Sequence, residues 1–401
     1  RGGFMIPKKS EMFNHWGLSQ ETVFLNHGSF GATPVSVMEE QGRIRRLMER
    51  DPVHFIEKLS NEMWQDSVLE LSRFLNADPE GMLFVANATT GVNTILRSLD
   101  LSEGDEIIVP DHAYQACRNA IDFVTNRSGA KTVVVRIPFR IDDDSDIIDP
   151  IMSAINEKTV LAMIDTVSSP TGIRMPFEKL VEMIQERGVD VLVDAAHGPG
   201  IVPLDVEKLN ASYITGNCHK WICTPKGSAF LHIREDKRSG VKPLVIGHGH
   251  SSELAPNEKF RLEFDWTGTR DPSPWLCIPH AIKHVGSMVH GGWTEIMERN
   301  RQMAIFGRDL ICEALDTSPP TPDFMISSMS SVEFPSNEDI KSIPLDGDPI
   351  HNQLYDDYRI QVPVISWPNH NSKYIRISAH LYNSKEEYKY LSDSLISILG
   401  L

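Results

Sequence analysis

The chain has 401 residues, with 39 basic and 55 acidic side chains and a formal charge of −16. That balance excludes broad binding to nucleic acid or to anionic membranes, which need basic surface, but leaves room for a small local cluster of cations. Hydrophobic residues make up 41% of the chain, enough for large cores and too many for a disordered protein.

Arg1–Ser10 has no apolar signal-peptide core. No apolar run later in the chain reaches the ~18 residues needed to span a bilayer. From about residue 20 to 235, short apolar runs alternate with helix-like stretches. The strand candidates are Met82–Ala86, Glu106–Pro110, Lys131–Ile137, Val160–Asp165, Val189–Asp194, Tyr213–Thr215 and Ser228–Ile233. They are apolar on both sides, as strands covered by helices on both faces should be. Helical patterns fall at Thr90–Ser98, Ala113–Val124, Pro150–Asn156 and Phe177–Arg187, and the acidic run Asp142–Asp146 reads as a solvated loop. The alternation predicts an α/β architecture with a mostly parallel, seven-stranded sheet. After about residue 275 the pattern changes. A long helix from Trp275 to about Ile311, strands within Phe324–Phe334 and Tyr374–Ser378, and a final helix over Ser384–Leu399 predict a smaller α+β domain. The Pro-rich Ser318–Pro322 reads as a loop inside it. Five cysteines at irregular spacing read as reduced thiols, which suits a cytoplasmic protein.

Three segments carry chemistry. Val191-Leu192-Val193-Asp194-Ala195-Ala196-His197 is an apolar strand ending in an acid, at the edge where open α/β sheets bind ligands. Alone, Asp194 is equally a turn cap. Tyr213–Trp221 is a second strand followed by a polar turn holding Lys220. Desolvation disfavours the ammonium form of such a lysine, and the neutral amine forms Schiff bases with carbonyl compounds. Alone, a lysine such as Lys220 is more often a surface salt-bridge residue. Asn87-Ala88-Thr89-Thr90-Gly91 follows the first strand and opens a helix whose N–H groups and hydroxyls suit a phosphate. It is neither a Walker loop nor a Rossmann fingerprint. His248-Gly249-His250 lacks the partner that would complete a metal site, so no metal is expected. A phosphate cradle, an acid and a lysine, each at a strand end, together suit pyridoxal 5′-phosphate (PLP).

On these residues the sequence resembles fold-type I PLP-dependent enzymes of the class V aminotransferase superfamily, in the isopenicillin N epimerase-like group. The likeness runs from Phe24-Leu25-Asn26-His27-Gly28-Ser29-Phe30-Gly31 to Arg376–Asn383. It passes through Asp111-His112-Ala113-Tyr114, Asp165–Gly172, His219-Lys220-Trp221 and Gly268-Thr269-Arg270-Asp271. It implies a large PLP-binding domain over 21–275, a small domain over 276–401 and an N-terminal arm over 1–20. It implies that Lys220 holds PLP, Asp194 meets its ring nitrogen and His197 its ring hydroxyl, with Ser169 near that edge. His112 is expected to stack on the ring, with Tyr114 as second choice. Ala88, Thr89, Thr90, Asn217 and His219 are expected at the phosphate. Thr269 is expected at the phosphate of a neighbouring subunit, which implies a homodimer with shared active sites. Arg376 is expected to bind the substrate α-carboxylate in a bidentate pair. Asn26, His27 and Ser29 are expected to line the substrate end or shape the Gly-rich turn, and Arg270 to bind substrate or brace the dimer.

The resemblance implies chemistry at the α-carbon of an amino acid, with Lys220 as base. Cysteine desulfurases of the superfamily carry a catalytic Cys upstream of the carboxylate-binding Arg. Here Gln361–Ser372 has none. β-Elimination on a cysteine-derived substrate, a C–S lyase activity, is therefore preferred. The alternatives are an epimerase, an aminotransferase and a non-enzymatic PLP-fold sensor.

Overall fold

A computed structural model of the protein describes residues 6–334, 347–367 and 370–401. Residues 1–5 of the expected N-terminal arm, and Pro368 and Asn369 of the stretch read for a missing Cys, lie outside them. Twelve strands are described: β1 (Val23–Phe24), β2 (Met82–Val85), β3 (Glu106–Pro110), β4 (Lys131–Val135), β5 (Thr159–Asp165), β6 (Asp190–Ala195), β7 (Tyr213–Asn217), β8 (Ala229–Ile233), β9 (Met329–Glu333), β10 (Ile360–Gln361), β11 (Val364–Trp367) and β12 (Ser372–Ser378).

Seven of them form one sheet in the order β2-β8-β7-β6-β5-β3-β4. Only β8 runs against the rest, pairing antiparallel with both β2 and β7. Alternate residues of each strand feed two cores, as the two-residue side-chain period requires. Val191 and Val193 join one core, beneath the helices Val35–Arg50, Ser60–Leu75 and Phe177–Glu186. Leu192, Leu161 and Met163 join the other, beneath the helices Ala88–Ser98 and Gln115–Ser128. Because β3, β5, β6 and β7 are parallel, their carboxyl ends open on one edge and deliver Asp111, Asp165, Asp194 and the Lys220 turn to one place.

The C-terminal part builds the antiparallel sheet β11-β12-β9, packed on the helices Gly292–Ala314 and Lys385–Leu399. The N-terminal segment is stitched into it. β1 pairs in parallel with β10, Leu25 donates to the carbonyl of Gln361 at 3.0 Å, and Ser378 donates to the carbonyl of Leu25 at 2.9 Å. This threading brings Asn26–Ser29 against Lys220 and Arg376.

Some expected elements differ. The single helix after Trp275 is three, Ser273–Leu276, Ile278–Gly286 and Gly292–Ala314. The break before the long helix falls at Gly291, whose φ of 99° a helix does not accommodate. The acidic run is only partly loop. A helix starts at Ser145, and the Asp146 carboxylate accepts the Asp142 amide at 2.8 Å. No helix of the described residues is long and apolar enough to cross a membrane.

Candidate active site

The strand ends open on a cavity of about 670 Å³ whose walls include Lys220, His197, Asp165, Asp194, Arg376 and Trp367. Lys220 follows β7 in a tight turn anchored by Cys218 and His219, whose amides both donate to the Ser228 carbonyl, at 3.0 and 3.1 Å. Its Nζ lies 3.1 Å from Nε2 of His197. Trp221 Nε1 donates to the other ring nitrogen of His197, Nδ1, at 3.1 Å. An indole N–H only donates, so Nδ1 is an acceptor and the neutral ring carries its proton on Nε2. That N–H then points at the Lys220 nitrogen, which accepts it only as a free amine. The electrostatics agree. Burial, with the charge of Arg376 behind it, pushes the Lys220 ammonium from 10.5 down to about 7. Burial and the Lys220 charge also hold His197 neutral, well below its ordinary value.

The floor holds two acids. Asp194 accepts the Ala196 amide at 3.0 Å and the Cys117 thiol at 3.4 Å. Burial raises its carboxyl above the ordinary value, against the pull of those donors and of Lys220. Asp165 stands on the adjacent strand in register with it.

At one end, the helix Ala88–Ser98 begins at the cavity. Asn87 caps it by accepting the Thr90 amide at 2.8 Å, and Asn217 Oδ1 accepts the Ala88 amide at 2.9 Å. Ala88, Thr89, Asn217 and His219 line the wall. The Thr89 amide and hydroxyl are the donors left over for an anion. The Thr90 hydroxyl turns back to Asn87 at 3.0 Å, and Thr90 is not part of the wall. His219 donates Nδ1–H to the Ser228 carbonyl at 2.8 Å, leaving Nε2 toward the cavity. Burial lowers its pKa to about 4, so it meets an anion as a cation only if that anion draws a proton onto it.

At the other end stands Arg376, in the middle of β12. Its guanidinium donates to the Ser169 carbonyl, to Ser29 Oγ at 3.1 Å and to Asn26 Oδ1 at 3.3 Å. Its buried Nε has no partner, and no carboxylate pairs with it among the described residues. An uncompensated buried arginine of this kind awaits an anion. Asn26 also accepts from Ser29 at 2.7 Å, so both orient the guanidinium. Ser169 lines the wall.

Besides Thr90, other expected side chains do not reach the cavity. His112 is 1% exposed. Its Nδ1 meets Thr171 Oγ1 at 3.1 Å and its Nε2 the Ile137 carbonyl at 3.1 Å, with Trp367 edge-on at 4.5 Å. With both nitrogens and one edge committed, it is a strut under the wall, and Ala113 and Tyr114 face the cavity instead. His27 bonds Tyr382 Oη at 2.8 Å and the Lys220 carbonyl at 2.9 Å, so it shapes the lysine turn from behind. Arg270 is held by Thr267 and by the Asp265 carbonyl, over the rings of Trp64 and Trp275, and serves as a brace. Thr269 is exposed on the neighbouring loop and is not part of this chain's cavity wall.

Asp165, Cys117 and Trp367 line the cavity and had no expected role. Asp165 had a readable signal: β5 ends in an acid after an apolar run, as β6 does. Trp367 had none, because its place depends on β11 pairing with β12.

These residues fit PLP. Among the described residues Lys220 is the cation whose charge lowers the Asp194 carboxyl and none lowers that of Asp165, and a pyridinium nitrogen would supply a positive partner. An amide and hydroxyl at a helix N-terminus stand ready for the phosphate, and a neutral lysine amine for the aldehyde.

Comparison with known proteins agrees with this arrangement. The profile of the family described as aminotransferase class V matches residues 41–331. The chain is similar to isopenicillin N epimerase of Amycolatopsis lactamdurans, with 29% identity, covering 92% of this chain and 94% of that protein. It is also similar to a probable chloroplastic L-cysteine desulfhydrase of Arabidopsis thaliana, with 30% identity, covering 92% and 82%. Among solved structures, a cysteine desulfurase from Thermococcus onnurineus NA1 superposes with a TM-score of 0.79 at 19% identity, over 99% of this chain and 100% of that one, a likeness of fold. The chain belongs to the class V aminotransferase family.

Proposed function

We propose that the protein is a PLP-dependent enzyme that works at the α-carbon of an amino acid and eliminates the β-substituent of a cysteine-derived substrate. The observation that carries this reading is the buried Lys220 amine, 3.1 Å from His197 Nε2 with its ammonium pushed down to about 7, in one cavity with Arg376 and the floor acids. PLP supplies an electron sink for the α-carbon. Asp194 would balance the charge of its ring nitrogen, His197 would meet its ring hydroxyl, and the Thr89 amide and hydroxyl would hold its phosphate, with Ala88, Asn217 and His219 lining that end.

Arg376 binds the substrate carboxylate and sets the Cα–H bond toward Lys220 Nζ, which takes the proton as general base. The Cβ–S bond then breaks with its electron pair on sulphur, which leaves with a proton as thiol or sulfide, and water hydrolyses the released three-carbon enamine, through its imine, to pyruvate and ammonia. Two features favour sulphur leaving as a free thiol or sulfide. Gln361–Ser372 carries no Cys to capture it. The one cysteine in the cavity wall, Cys117, is tied to Asp194 with its thiol pKa pushed up by burial, so it is no nucleophile. Val364, Ile365 and Trp367 give the same wall an apolar face.

Epimerisation is the second reading, supported by the similarity to isopenicillin N epimerase. It needs an acid on the face opposite Lys220, and Tyr114, 47% exposed and in the wall, is the candidate. A homodimer with Thr269 at the partner's phosphate belongs to the proposal, as does a division into an N-terminal arm, a large domain and a small domain from about residue 276.

The test is incubation of the PLP-loaded protein with cysteine and S-alkylcysteines. Pyruvate appearing in step with sulfide or thiol is expected. Deuterium exchange at Cα with inversion, and no pyruvate, would overturn elimination in favour of the epimerase.

A further inference from the structure

Asp165 has no part in the mechanism above, yet it lies at the centre of the site. Its Cα is the register partner of Asp194 across β5 and β6, strands about 4.8 Å apart. The two side chains also share a face. Leu161 and Met163 before Asp165, and Leu192 before Asp194, all enter the core under the helices Ala88–Ser98 and Gln115–Ser128, so two residues further on both carboxyl groups point the same way. Both are nearly closed to solvent, 5% and 4% exposed, and both line the cavity. Asp165 Oδ1 is buried without a hydrogen-bond partner, and among the described residues neither acid takes part in a salt bridge.

The groups facing them are few. Cys117 donates its thiol to Asp194. Thr215, the register partner of Asp194 on β7, spends its hydroxyl on the Phe230 carbonyl. Lys220 and His197 stand across the cavity. Arg118 and Arg376 also line the cavity, but Lys220 is the cation whose charge lowers the Asp194 carboxyl, and none lowers that of Asp165. One such cation cannot neutralise both acids, and two carboxylates side by side in a dry site do not both ionise.

We infer that Asp165 and Asp194 form an acid pair holding one proton and one negative charge, with Asp165 the neutral, proton-bearing positioning residue and Asp194 the anion. Burial and the neighbouring charge of Asp194 raise the Asp165 carboxyl well above its ordinary value, in line with this assignment. The pair presents a single negative charge to the single positive charge of a pyridinium. It also spares Lys220 a second anion, which would pull its amine back toward ammonium. The inference rests on PLP as the ligand and not on the choice between elimination and epimerisation.

The test compares wild type, Asp165→Asn and Asp165→Ala, purified with PLP supplied. The pH titration of the visible band and the PLP dissociation constant are measured, with the thermal melt as a check on folding. Asn is neutral and keeps a donor, so its midpoint and affinity are expected to stay within about threefold of wild type. Ala removes the donor, and its midpoint is expected to move. A shift of about one unit in the Asn variant would overturn the pair, because it would mean that Asp165 acts as an anion. Wild-type behaviour in the Ala variant would overturn it too, by removing any positioning role. If Ala does not fold, the Asn result alone decides. Absence of the band in wild type is a separate failure, that of the cofactor.

Discussion

Trp221 donates its indole N–H to Nδ1 of His197 at 3.1 Å, and this bond sets the proton inventory around the lysine. While it holds, the neutral ring keeps its proton on Nε2, 3.1 Å from Lys220 Nζ, and favours the free amine. In Trp221→Phe the Nδ1–H tautomer becomes available, Nε2 becomes an acceptor, and the ammonium gains a partner. The Lys220 pKa should rise, by up to about one unit. PLP capture at neutral pH should slow about fivefold, the worth of a hydrogen bond of ~1 kcal/mol. Stopped-flow absorbance after PLP addition measures both, and an unchanged midpoint would refute the tautomer argument.

The depressed lysine makes its own pH prediction. PLP-stripped protein should capture added PLP at a rate that climbs through pH 7 and then levels, tracking the free amine at about 7. A lysine at its ordinary 10.5 would keep accelerating to pH 10. The sign for stability follows. Between about 7 and 10.5 the unfolded chain holds the proton and the folded chain does not, so this group's contribution to stability rises with pH across that window. A melting temperature of the PLP-free Lys220→Met variant that lacks this rise, against a wild type that has it, isolates the term.

Arg376 reports chiefly on the substrate end. Its guanidinium is buried and oriented by Ser29, Asn26 and the Ser169 carbonyl. Replacing it with Gln removes the charge and at least one charged hydrogen bond of about 1.5–3 kcal/mol, so kcat/KM for amino acids should fall by at least roughly 10- to 150-fold. PLP affinity at a pH above the Lys220 midpoint should stay near wild type, while the midpoint itself rises because the Arg376 charge no longer pushes the ammonium down. Steady-state kinetics beside a PLP titration separates the two, and a matching loss of PLP would place Arg376 at the cofactor instead.

The parts of the site that could be read in advance were those written into one strand and the turn after it. Asp194 and Lys220 each end a two-sided apolar run, and the parallel strand order that brings them together follows from the alternation of strand and helix. Properties that belong to pairs of elements were not readable. The acid pair exists only through the register of β5 and β6. His112 leaves the cavity because Thr171 and the Ile137 carbonyl, from two other segments, claim its nitrogens. Arg270 is captured between the indole faces of Trp275, on the next helix, and of Trp64, far earlier in the chain. In each case a side chain of the right type stood at the right position in the chain, and its partners decided which way it turned.

Gly31 tests how tightly the lysine turn is held from behind. Its φ of 74° lies in the left-handed region that favours glycine. A Cβ there would collide with the carbonyl oxygen of His219 and lie 2.9 Å from the Lys220 Cα. Both neighbours are backbone, and the turn they belong to is pinned on its far side by the Ser228 carbonyl, so it has little room to yield. Gly31→Ala should therefore cost about 1–3 kcal/mol from overpacking, with backbone strain in addition, lowering the melting temperature. The displacement falls on the residue that must reach the PLP aldehyde, so PLP capture should slow by more than the stability loss explains. A variant with a lowered melting temperature but wild-type capture would show that the turn absorbs the methyl group without moving Lys220.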